Sequence, residues 1–336
     1  MPKLPAHPVV VVTGASAGVG RATAVELARR GARLGLIARG RAGLEAARAE
    51  ALAAGSPRVE LLPADVADAE AVEVAADRAK AALGEIDVWI NNAMQSVFAY
   101  AWDITPEEFR RVTEVTYLGS VHGTLAALHR MRPRDRGTIV QVGSALAERS
   151  IPLQSAYCAA KHAVDGFCSS VRTELLAEGS RIRLSRVQLP ALNTPQFTWV
   201  RTRLPRHPQP VAPIYQPEVA ARAIAWAAGH GPRELNVGSS TVLTRLGERV
   251  APGLLDRYLA RTGIDGQQTG EPVDLDAWRD NLDAPADEDE DRGAEGPFGD
   301  QAKDRSPQLW AATHKRGLLT GLTAAAVAAG LAVRRR

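Results

Sequence analysis

Three residues of this chain have the types and spacing to move a proton to and from an oxygen atom. Tyr157 and Lys161 are four positions apart in a segment with helical apolar spacing, so their side chains share one face of a helix. Ser144 precedes the tyrosine by thirteen positions and directly follows Gly143, at the end of a predicted strand. A phenol can protonate the alkoxide that forms when a carbonyl accepts a hydride, and the phenolate can take that proton back. The three residues therefore predict the interconversion of a carbonyl and an alcohol.

Lys161 and Ser144 have separate predicted roles around the tyrosine. An ammonium about 5 Å from the phenol would lower its pKa by roughly two units from a reference near 10. Ser144 would hydrogen-bond the carbonyl oxygen and hold it against Tyr157, without acting as a nucleophile. This chemistry needs no metal ion. A Tyr-x-x-x-Lys pair also arises by chance in many helices, so its meaning depends on the rest of the sequence.

A glycine-rich turn lies near the start of the chain, between a predicted strand and a predicted helix. The segment TGASAGVG at 13–20 spaces Gly14, Gly18 and Gly20 as G-x-x-x-G-x-G. Glycines let a pyrophosphate approach backbone N–H groups and the N-terminus of the following helix. The triplet could be an ordinary tight turn, but the flanking strand and helix favour a dinucleotide site. Two further residues of this segment are assigned to that site: Ser16 and Val19.

The end of the second predicted strand indicates which dinucleotide binds. NAD-selective folds place Asp or Glu there for the adenosine ribose, whereas this chain reads IARGR at 37–41. Arg39 can bind a 2′-phosphate through its guanidinium, and Arg41 can add positive charge. The sequence therefore predicts NADP(H) as the cofactor, although Arg39 could instead be a solvated loop arginine. The remaining cofactor residues follow the third and fourth strands, at the sheet edge where ligands bind: Asp65, Val66 and Asn92.

Alternating strand and helix patterns predict an α/β fold with a parallel sheet and helices on both faces. Short runs rich in Val, Ile and Leu alternate with longer helical stretches between about 9 and 238. We expect a catalytic domain over 1–245, an extension over 246–312 and an apolar helix over 313–336. The extension is rich in Gly, Pro and acidic residues, including DEDED at 287–291, and is predicted to contain a solvated, partly disordered linker.

Two helix starts are marked by their residues. Thr105 can cap a helix whose first position is Pro106, with Glu108 at the third position as its reciprocal partner. Pro217 and Glu218 are predicted to open another helix.

Together these motifs resemble the shorter branch of the short-chain dehydrogenase/reductase family across about 1–240. The resemblance rests on TGASAGVG at 13–20, NNA at 91–93, Ser144 and YCAAK at 157–161. It implies a doubly wound Rossmann sheet of seven strands, a nicotinamide dinucleotide, and alcohol or carbonyl substrates. It also implies that the chains assemble as homodimers or homotetramers.

The resemblance assigns further roles and shows three departures. Lys161 would also bind the nicotinamide ribose, beside the catalytic tyrosine, and Thr194 would contact the cofactor near the nicotinamide. Thr116 stands where the family usually has the Asn that anchors a water in the proton relay, so this relay is expected to run differently. Met94 and Ala191 replace two glycines near the nicotinamide pocket.

The segment 193–216 is predicted to form a mobile lid over the substrate, and Phe197 is one of its apolar residues. With Met94 and Leu153 it indicates a largely apolar pocket for a hydrophobic ketone, aldehyde, sterol-like or lipid-like substrate. Its aromatic residues could equally pack against the body of the protein or a second subunit.

Charge and cysteine content narrow the class of protein. A net charge of +3 is small for 336 residues, which argues against a nucleic-acid partner. The residues before Val9 leave no room for a secretion signal. Cys158 and Cys168 are separated by about 15 Å along one predicted helix, so they are not expected to form a disulfide. We therefore expect a cytoplasmic protein with reduced thiols.

The stretch 317–333 has no charged residue and is flanked by basic residues on both sides. Its length is at the lower limit for a membrane span. Two interpretations stay open: a weak membrane anchor, or an Ala-rich helix that packs on protein.

Three functional classes can be weighed on these motifs. The complete catalytic trio favours an oxidoreductase. A non-redox NADP-binding scaffold is the alternative, because Thr116, Met94 and Ala191 change the surroundings of the reaction centre. An epimerase or dehydratase of nucleotide sugars is disfavoured, since the longer branch of the family usually spaces its first glycines as G-x-x-G-x-x-G.

Overall fold

Short apolar runs form the main strands of the protein, because Val, Ile and Leu suit a sheet that is covered on both faces. A computed structural model describes residues 4–314 of the chain. Its strands are β1 (Val9–Thr13), β2 (Arg33–Ala38), β3 (Val59–Pro63), β4 (Ile86–Asn91), β5 (Val97–Phe98), β6 (Thr138–Ser144), β7 (Arg183–Leu189), β8 (Arg201–Thr202), β9 (Arg206–Pro208), β10 (Ile214–Tyr215), β11 (Glu234–Asn236), β12 (Gln268–Pro272) and β13 (Ala302–Lys303).

Seven of these strands form one sheet, in the order β11-β7-β6-β4-β1-β2-β3. Every neighbouring pair in this sheet is parallel. The chain builds outward from β1 in one direction through β2 and β3, and in the other through β4. A ligand cleft is expected at the carboxyl ends of the strands where this reversal occurs. The predicted doubly wound α/β fold is confirmed.

Helices cover both faces of the sheet. They are α1 (Gly18–Ala28), α2 (Arg41–Ala53), α3 (Ala69–Leu83), α4 (Pro106–Thr113), α5 (Gly119–Met131), α6 (Ser155–Ala177), α7 (Gln196–Trp199), α8 (Pro217–His230), α9 (Ser239–Val250), α10 (Pro252–Thr262) and α11 (Pro307–Thr313). A π-helical segment, Glu114–Leu118, joins α4 to α5. The predicted helix starts are confirmed: α4 has a complete capping box between Thr105 and Glu108, and α8 begins at Pro217.

The alternation of side chains along β1 separates the core into two layers. Val10 and Val12 belong to an apolar cluster on one face of the sheet, and Val9 and Val11 belong to a cluster on the other. All four side chains are fully buried. A central strand with two buried faces needs apolar residues at every position, which accounts for the run VVVV.

The C-terminal extension packs on the catalytic domain, where the sequence predicts a solvated, partly disordered linker. Residues 288–291 of its acidic run are exposed, as expected, but Asp287 is buried. Strand β12 pairs antiparallel with β9, and β13 pairs parallel with β10. Leu282 is fully buried, and Phe298 is buried with 8% of its surface exposed. These contacts join residues far apart in the sequence, so the local composition carried no sign of them.

Between residues 4 and 314, the structure contains no helix that is both long and apolar enough to cross a membrane. The stretch 317–333 lies outside the described residues, and a membrane anchor there stays a prediction.

Candidate active site

The predicted catalytic trio meets at the carboxyl end of β6. Ser144 is the last residue of that strand, and Tyr157 and Lys161 lie near the start of α6. The ammonium nitrogen of Lys161 lies 5.6 Å from the centre of the Tyr157 ring and donates a 2.8 Å hydrogen bond to the carbonyl oxygen of Val142. Both side chains are buried. Strand and helix thus bring a hydroxyl, a phenol and an ammonium together.

Burial acts in opposite directions on the pKa values of the phenol and the ammonium. It raises the pKa of Tyr157 above its usual value of 10.0, which a hydrogen bond with Ser144 partly opposes. It lowers the pKa of Lys161 to about 8, which the Asp165 carboxylate partly opposes. In the protein alone, burial of the phenol therefore outweighs the lowering of the Tyr157 pKa that is expected from Lys161, and that lowering stays a prediction.

Thr116 belongs to the π-helical segment between α4 and α5, and its side chain is fully buried. Its hydroxyl donates to the carbonyl oxygen of Gln95 at 3.0 Å and accepts from the Gln95 amide at 2.9 Å. π-helical turns are frequent at functional sites. Here Thr116 fixes the loop that follows β4, and its effect on a proton relay stays a prediction.

The glycine-rich turn brings backbone segments too close together for side chains. Gly18 begins α1 with a φ of +55°, a left-handed conformation that glycine adopts without strain. A Cβ on Gly20 would come within 2.0 Å of the Gly14 carbonyl oxygen. After β4, the Asn92 side-chain amide donates to the carbonyls of Thr13 and Gly14 at 3.0 and 3.1 Å. The turn is therefore held against the end of β4.

A cleft at the carboxyl edge of the sheet gathers most of the predicted cofactor residues. Gly20, Tyr157 and Lys161 are not part of its lining, whereas the other predicted residues are: Gly14, Ser16, Gly18, Val19, Arg39, Asp65, Val66, Asn92 and Thr194. The cleft suits a dinucleotide, because glycines give a pyrophosphate access to backbone amides and the N-terminus of α1 attracts its charge.

Arg39 lines the cleft, but its guanidinium is hydrogen-bonded to the C-terminal extension. It donates to the carbonyl oxygens of Asn281, Leu282 and Asp283, the last two at 3.3 and 3.0 Å. Burial lowers the pKa of Arg39. The donors that the sequence assigned to a 2′-phosphate are thus engaged by backbone carbonyls.

Two other charged residues at this end of the sheet have partners within the catalytic domain. The Arg41 side chain is 78% exposed and pairs with Glu45 at 3.1 Å. Asp65 accepts hydrogen bonds from the Ala67 amide at 3.0 Å and from the Arg111 guanidinium at 2.5 Å. Although burial raises the pKa of Asp65, these hydrogen bonds hold it below its usual value.

The C-terminal extension contributes residues to the cleft that the sequence analysis missed: Asn281, Pro285 and Asp287. Their acidic surroundings pointed to a solvated linker instead. The sequence does contain one sign of this contact, the two glycines Gly40 and Gly43 that closely follow Arg39. A Cβ on either glycine would collide with the Asp287 carboxylate. Two glycines at the start of a helix indicate that something packs closely against it.

The predicted substrate residues divide between the cleft and an apolar cluster. Met94 lines the cleft. Leu153 and Phe197 are buried in a cluster with Phe98 and Phe298. The Phe197 ring packs edge-on against both phenylalanines, with ring centres 6.1 and 5.8 Å apart. Leu153 and Phe197 therefore pack on the body of the protein, the alternative that the sequence left open.

Comparisons with known proteins identify the family of this chain. The family model described as short chain dehydrogenase matches residues 8–204. The uncharacterized oxidoreductase YxnA of Bacillus subtilis is 32% identical over 266 residues, which cover 79% of this chain and 74% of that protein. Dehydrogenase/reductase SDR family member 7 of Homo sapiens is 38% identical over 170 residues, 50% of each chain. The crystal structure of a short-chain dehydrogenase from Streptomyces avermitilis matches with a TM-score of 0.62 at 28% identity, covering 76% of this chain and 99% of that one. This chain therefore belongs to the short-chain dehydrogenase/reductase family of oxidoreductases, which bind a nicotinamide dinucleotide.

Proposed function

We propose that the protein interconverts an alcohol and a hydrophobic ketone or aldehyde with NADP(H), using Tyr157 as the acid and base. The observation that carries the proposal is the meeting of Ser144, Tyr157 and Lys161 at the carboxyl end of β6. This end of the sheet is also where the glycine-rich turn and the cleft lie.

The trio divides the proton chemistry among its members, while a bound nicotinamide supplies or accepts the hydride. Ser144 donates a hydrogen bond to the substrate oxygen and positions it beside the phenol. Because burial raises the pKa of Tyr157, the phenol keeps its proton at neutral pH and can donate it to the forming alkoxide. Lys161, whose pKa is about 8, is mostly protonated at pH 7 and stabilises the phenolate that results. In the oxidation direction the same phenolate accepts the proton of the alcohol.

NADP(H) is proposed because β2 ends without a carboxylate and is followed by Arg39, which lines the cleft. A guanidinium there can bind a 2′-phosphate through two hydrogen bonds once it releases the carbonyls of residues 281–283. We expect Arg39→Ala to weaken NADPH binding about tenfold or more in a fluorescence titration. Arg132→Ala, at an exposed arginine outside the lining of the cleft, is the control. Tighter binding of NADH than NADPH, unchanged by Arg39→Ala, would overturn the cofactor proposal.

The substrate is proposed to be a hydrophobic small molecule because apolar side chains line the cleft beside the glycine-rich turn. Met94, Trp199 and Val200 contribute to this lining.

The two cysteines are both buried without a disulfide, in keeping with the reducing cytoplasmic setting that we propose.

The catalytic role of Tyr157 is tested with the purified full chain, NADPH and a panel of hydrophobic ketones and aldehydes. We expect Tyr157→Phe to lower kcat by about 10²- to 10⁴-fold, because the proton donor is lost. NADPH affinity should stay close to that of the unsubstituted protein. Tyr258→Phe, at an exposed tyrosine on α10, should keep full activity. If no carbonyl were reduced and Tyr157→Phe changed nothing, the non-redox scaffold would be the better description.

A further inference from the structure

Residues 281–293, which we call the strap, cross the open side of the cofactor cleft. In addition to the bonds from Arg39, two side chains of the catalytic domain hold its first part. The Gln95 side-chain amide donates to the carbonyl oxygen of Asn281 at 2.6 Å. The Arg111 guanidinium donates to the carbonyl oxygen of Leu282 at 3.1 Å. Leu282 is fully buried in an apolar cluster with residues of α6. The strap is therefore docked by specific contacts on this side of the cleft.

The later part of the strap accepts hydrogen bonds from amides at the start of two helices. At α2, the Gly43 N–H donates to the carbonyl oxygen of Asp287 at 3.2 Å. At α1, the Gly18 N–H donates to the carbonyl oxygen of Gly293 at 3.1 Å. Free amides at a helix N-terminus are the donors that bind phosphate groups. The strap thus engages donors on the rim of a phosphate-binding cleft.

Asp287 places a carboxylate inside the cleft. The residue is 5% exposed, and its Oδ2 has no hydrogen-bond partner among the described residues. A Cβ on Gly40 would lie 1.8 Å from Oδ1, and a Cβ on Gly43 would lie 2.5 Å from Oδ2. Glycines at both positions therefore leave room for the carboxylate. Burying a charged group without a partner is unfavourable, so its position calls for a hydrogen-bond donor that enters the cleft.

The position of Asp287 bears on the one phosphate that distinguishes NADP(H) from NAD(H). This fold meets the adenosine ribose after β2, where Arg39 and Gly40 lie. A ribose with free hydroxyls can donate hydrogen bonds to a carboxylate, whereas a 2′-phosphate is repelled by it. Arg39 offers such a phosphate few free donors while it holds the strap carbonyls.

We propose that the strap is a movable specificity element of the cofactor site. With NADH bound, the Gly18 amide exchanges the Gly293 carbonyl for the pyrophosphate that both dinucleotides carry. Asp287 stays in the cleft, accepts hydrogen bonds from the unphosphorylated adenosine ribose and excludes a 2′-phosphate. NADP(H) binds when the strap lifts, because this withdraws Asp287 and releases the Arg39 guanidinium. The inference rests on the NADP(H) site proposed above and adds competition by the chain's own C-terminal segment.

The first test compares Asp287→Asn with Asp289→Asn, whose aspartate is an exposed acid of the same strap. Dissociation constants for NADPH and NADH are measured by fluorescence titration of the full chain. We expect Asp287→Asn to tighten NADPH binding about tenfold, because a like charge is removed, and to leave NADH binding unchanged or weaker. Asp289→Asn should leave both constants within about threefold. Unchanged or weaker NADPH binding in Asp287→Asn would overturn the proposal.

The second test follows the strap itself by amide hydrogen exchange of the peptides that cover it. Saturating NADPH should speed exchange in residues 281–293, because the strap leaves the cleft, whereas NADH should not. Protection of the strap by NADPH would contradict the proposal and show a strap that closes over this cofactor. Melting temperatures of all variants establish that the compared proteins are folded.

The two proposals fail in different ways. If Arg39→Ala left NADPH binding unchanged, the NADP(H) site would be wrong. If Arg39→Ala weakened NADPH binding while Asp287→Asn left it unchanged, the site would stand and the strap would have no part in specificity. If the unsubstituted protein bound NADH more tightly and Asp287→Asn reversed this order, the strap proposal would be supported.

Discussion

Lys161 carries its ammonium in the interior of the protein, and this position couples folding to pH. Burial lowers its pKa from the usual 10.5 to about 8, an effect that the Asp165 carboxylate partly opposes. The proposed chemistry uses the ammonium beside Tyr157, so the desolvation of the ammonium is a cost in stability that accompanies this chemistry. Between pH 8 and 10.5 the unfolded chain holds the proton on this lysine while the folded protein releases it.

The contribution of Lys161 to the free energy of unfolding should therefore rise with pH in this window, whereas the raised pKa values of Cys168 and Tyr157 act in the opposite direction above about pH 9. The lysine contributes a slope of at most about 1.4 kcal/mol per pH unit, positive because the unfolded state binds more protons. Below pH 8 both states are protonated and the contribution is constant. Urea unfolding between pH 7 and 10 measures this, and Lys161→Met should lose the contribution, whereas Lys80→Met at an exposed position should keep it. Equal slopes in Lys161→Met and the unsubstituted protein would contradict the assignment.

At the scale of elements, a buried charge cluster fixes α6, the helix that carries Tyr157 and Lys161. Arg186 on β7 pairs with Asp165 on α6 at 2.8 Å and with Glu234 on β11 at 2.5 Å. Gln188, also on β7, donates to the same Asp165 carboxylate at 2.8 Å. Asp165 lies one turn beyond Lys161, so this cluster sets the position of α6 against the sheet.

Loss of the central cation of this cluster should be strongly destabilising. Arg186→Met leaves the largely buried Asp165 carboxylate without its cation, whereas Glu234 keeps its pair with Arg245. We expect the free energy of unfolding to fall by about 3–5 kcal/mol. The exposed pair of Arg132 and Glu178 provides a control, and Arg132→Ala should change stability by at most about 0.5 kcal/mol. Chemical denaturation with circular dichroism measures both. A loss below about 1 kcal/mol in Arg186→Met would show that the carboxylates find other partners.

The sequence predicts those features whose signal is local. The strand runs, the capping box at Thr105 and the glycine turn each depend on a few adjacent residues, and the structure agrees with all of them. Arg39 shows where such reasoning ends. Arg39 does follow β2, as the sequence predicts. Its partners are backbone carbonyls more than two hundred positions away, and every residue has such a carbonyl, so the sequence does not single them out. No local pattern distinguishes an acidic segment that docks on distant donors from one that stays in solvent.

At the scale of the whole molecule, α6 presents an exposed face of small and polar residues that includes Gly166. A Cβ at this glycine would meet no atom within 4 Å, so the described chain by itself does not require glycine there. Close packing of helices between subunits does require small residues. Assembly into homodimers or homotetramers stays a prediction, drawn from the family resemblance, and we expect this face of α6 to take part in the contact.

Gly166→Arg tests this assembly. The larger side chain fits the single chain without a clash, so the melting temperature of the isolated chain should change little, whereas an interface across α6 would be blocked. We expect sedimentation to show a dimer or tetramer for the unsubstituted protein and a monomer for Gly166→Arg. Gly253→Arg on α10, also at an open position, should assemble normally. A monomeric unsubstituted protein, or an unchanged assembly in Gly166→Arg, would refute the prediction.

The late place of the strap in the chain has a consequence for protein synthesis. The sheet, the glycine turn and the trio all precede residue 245, whereas the strap leaves the ribosome afterwards. At about 5–20 residues per second, the roughly fifty residues between these points take about 2–10 s to synthesise. During this interval a nascent domain that has folded offers an uncovered cleft. Under the strap proposal, we expect a folded nascent domain to bind whichever dinucleotide the cell holds in excess, because Asp287 has not yet entered the cleft.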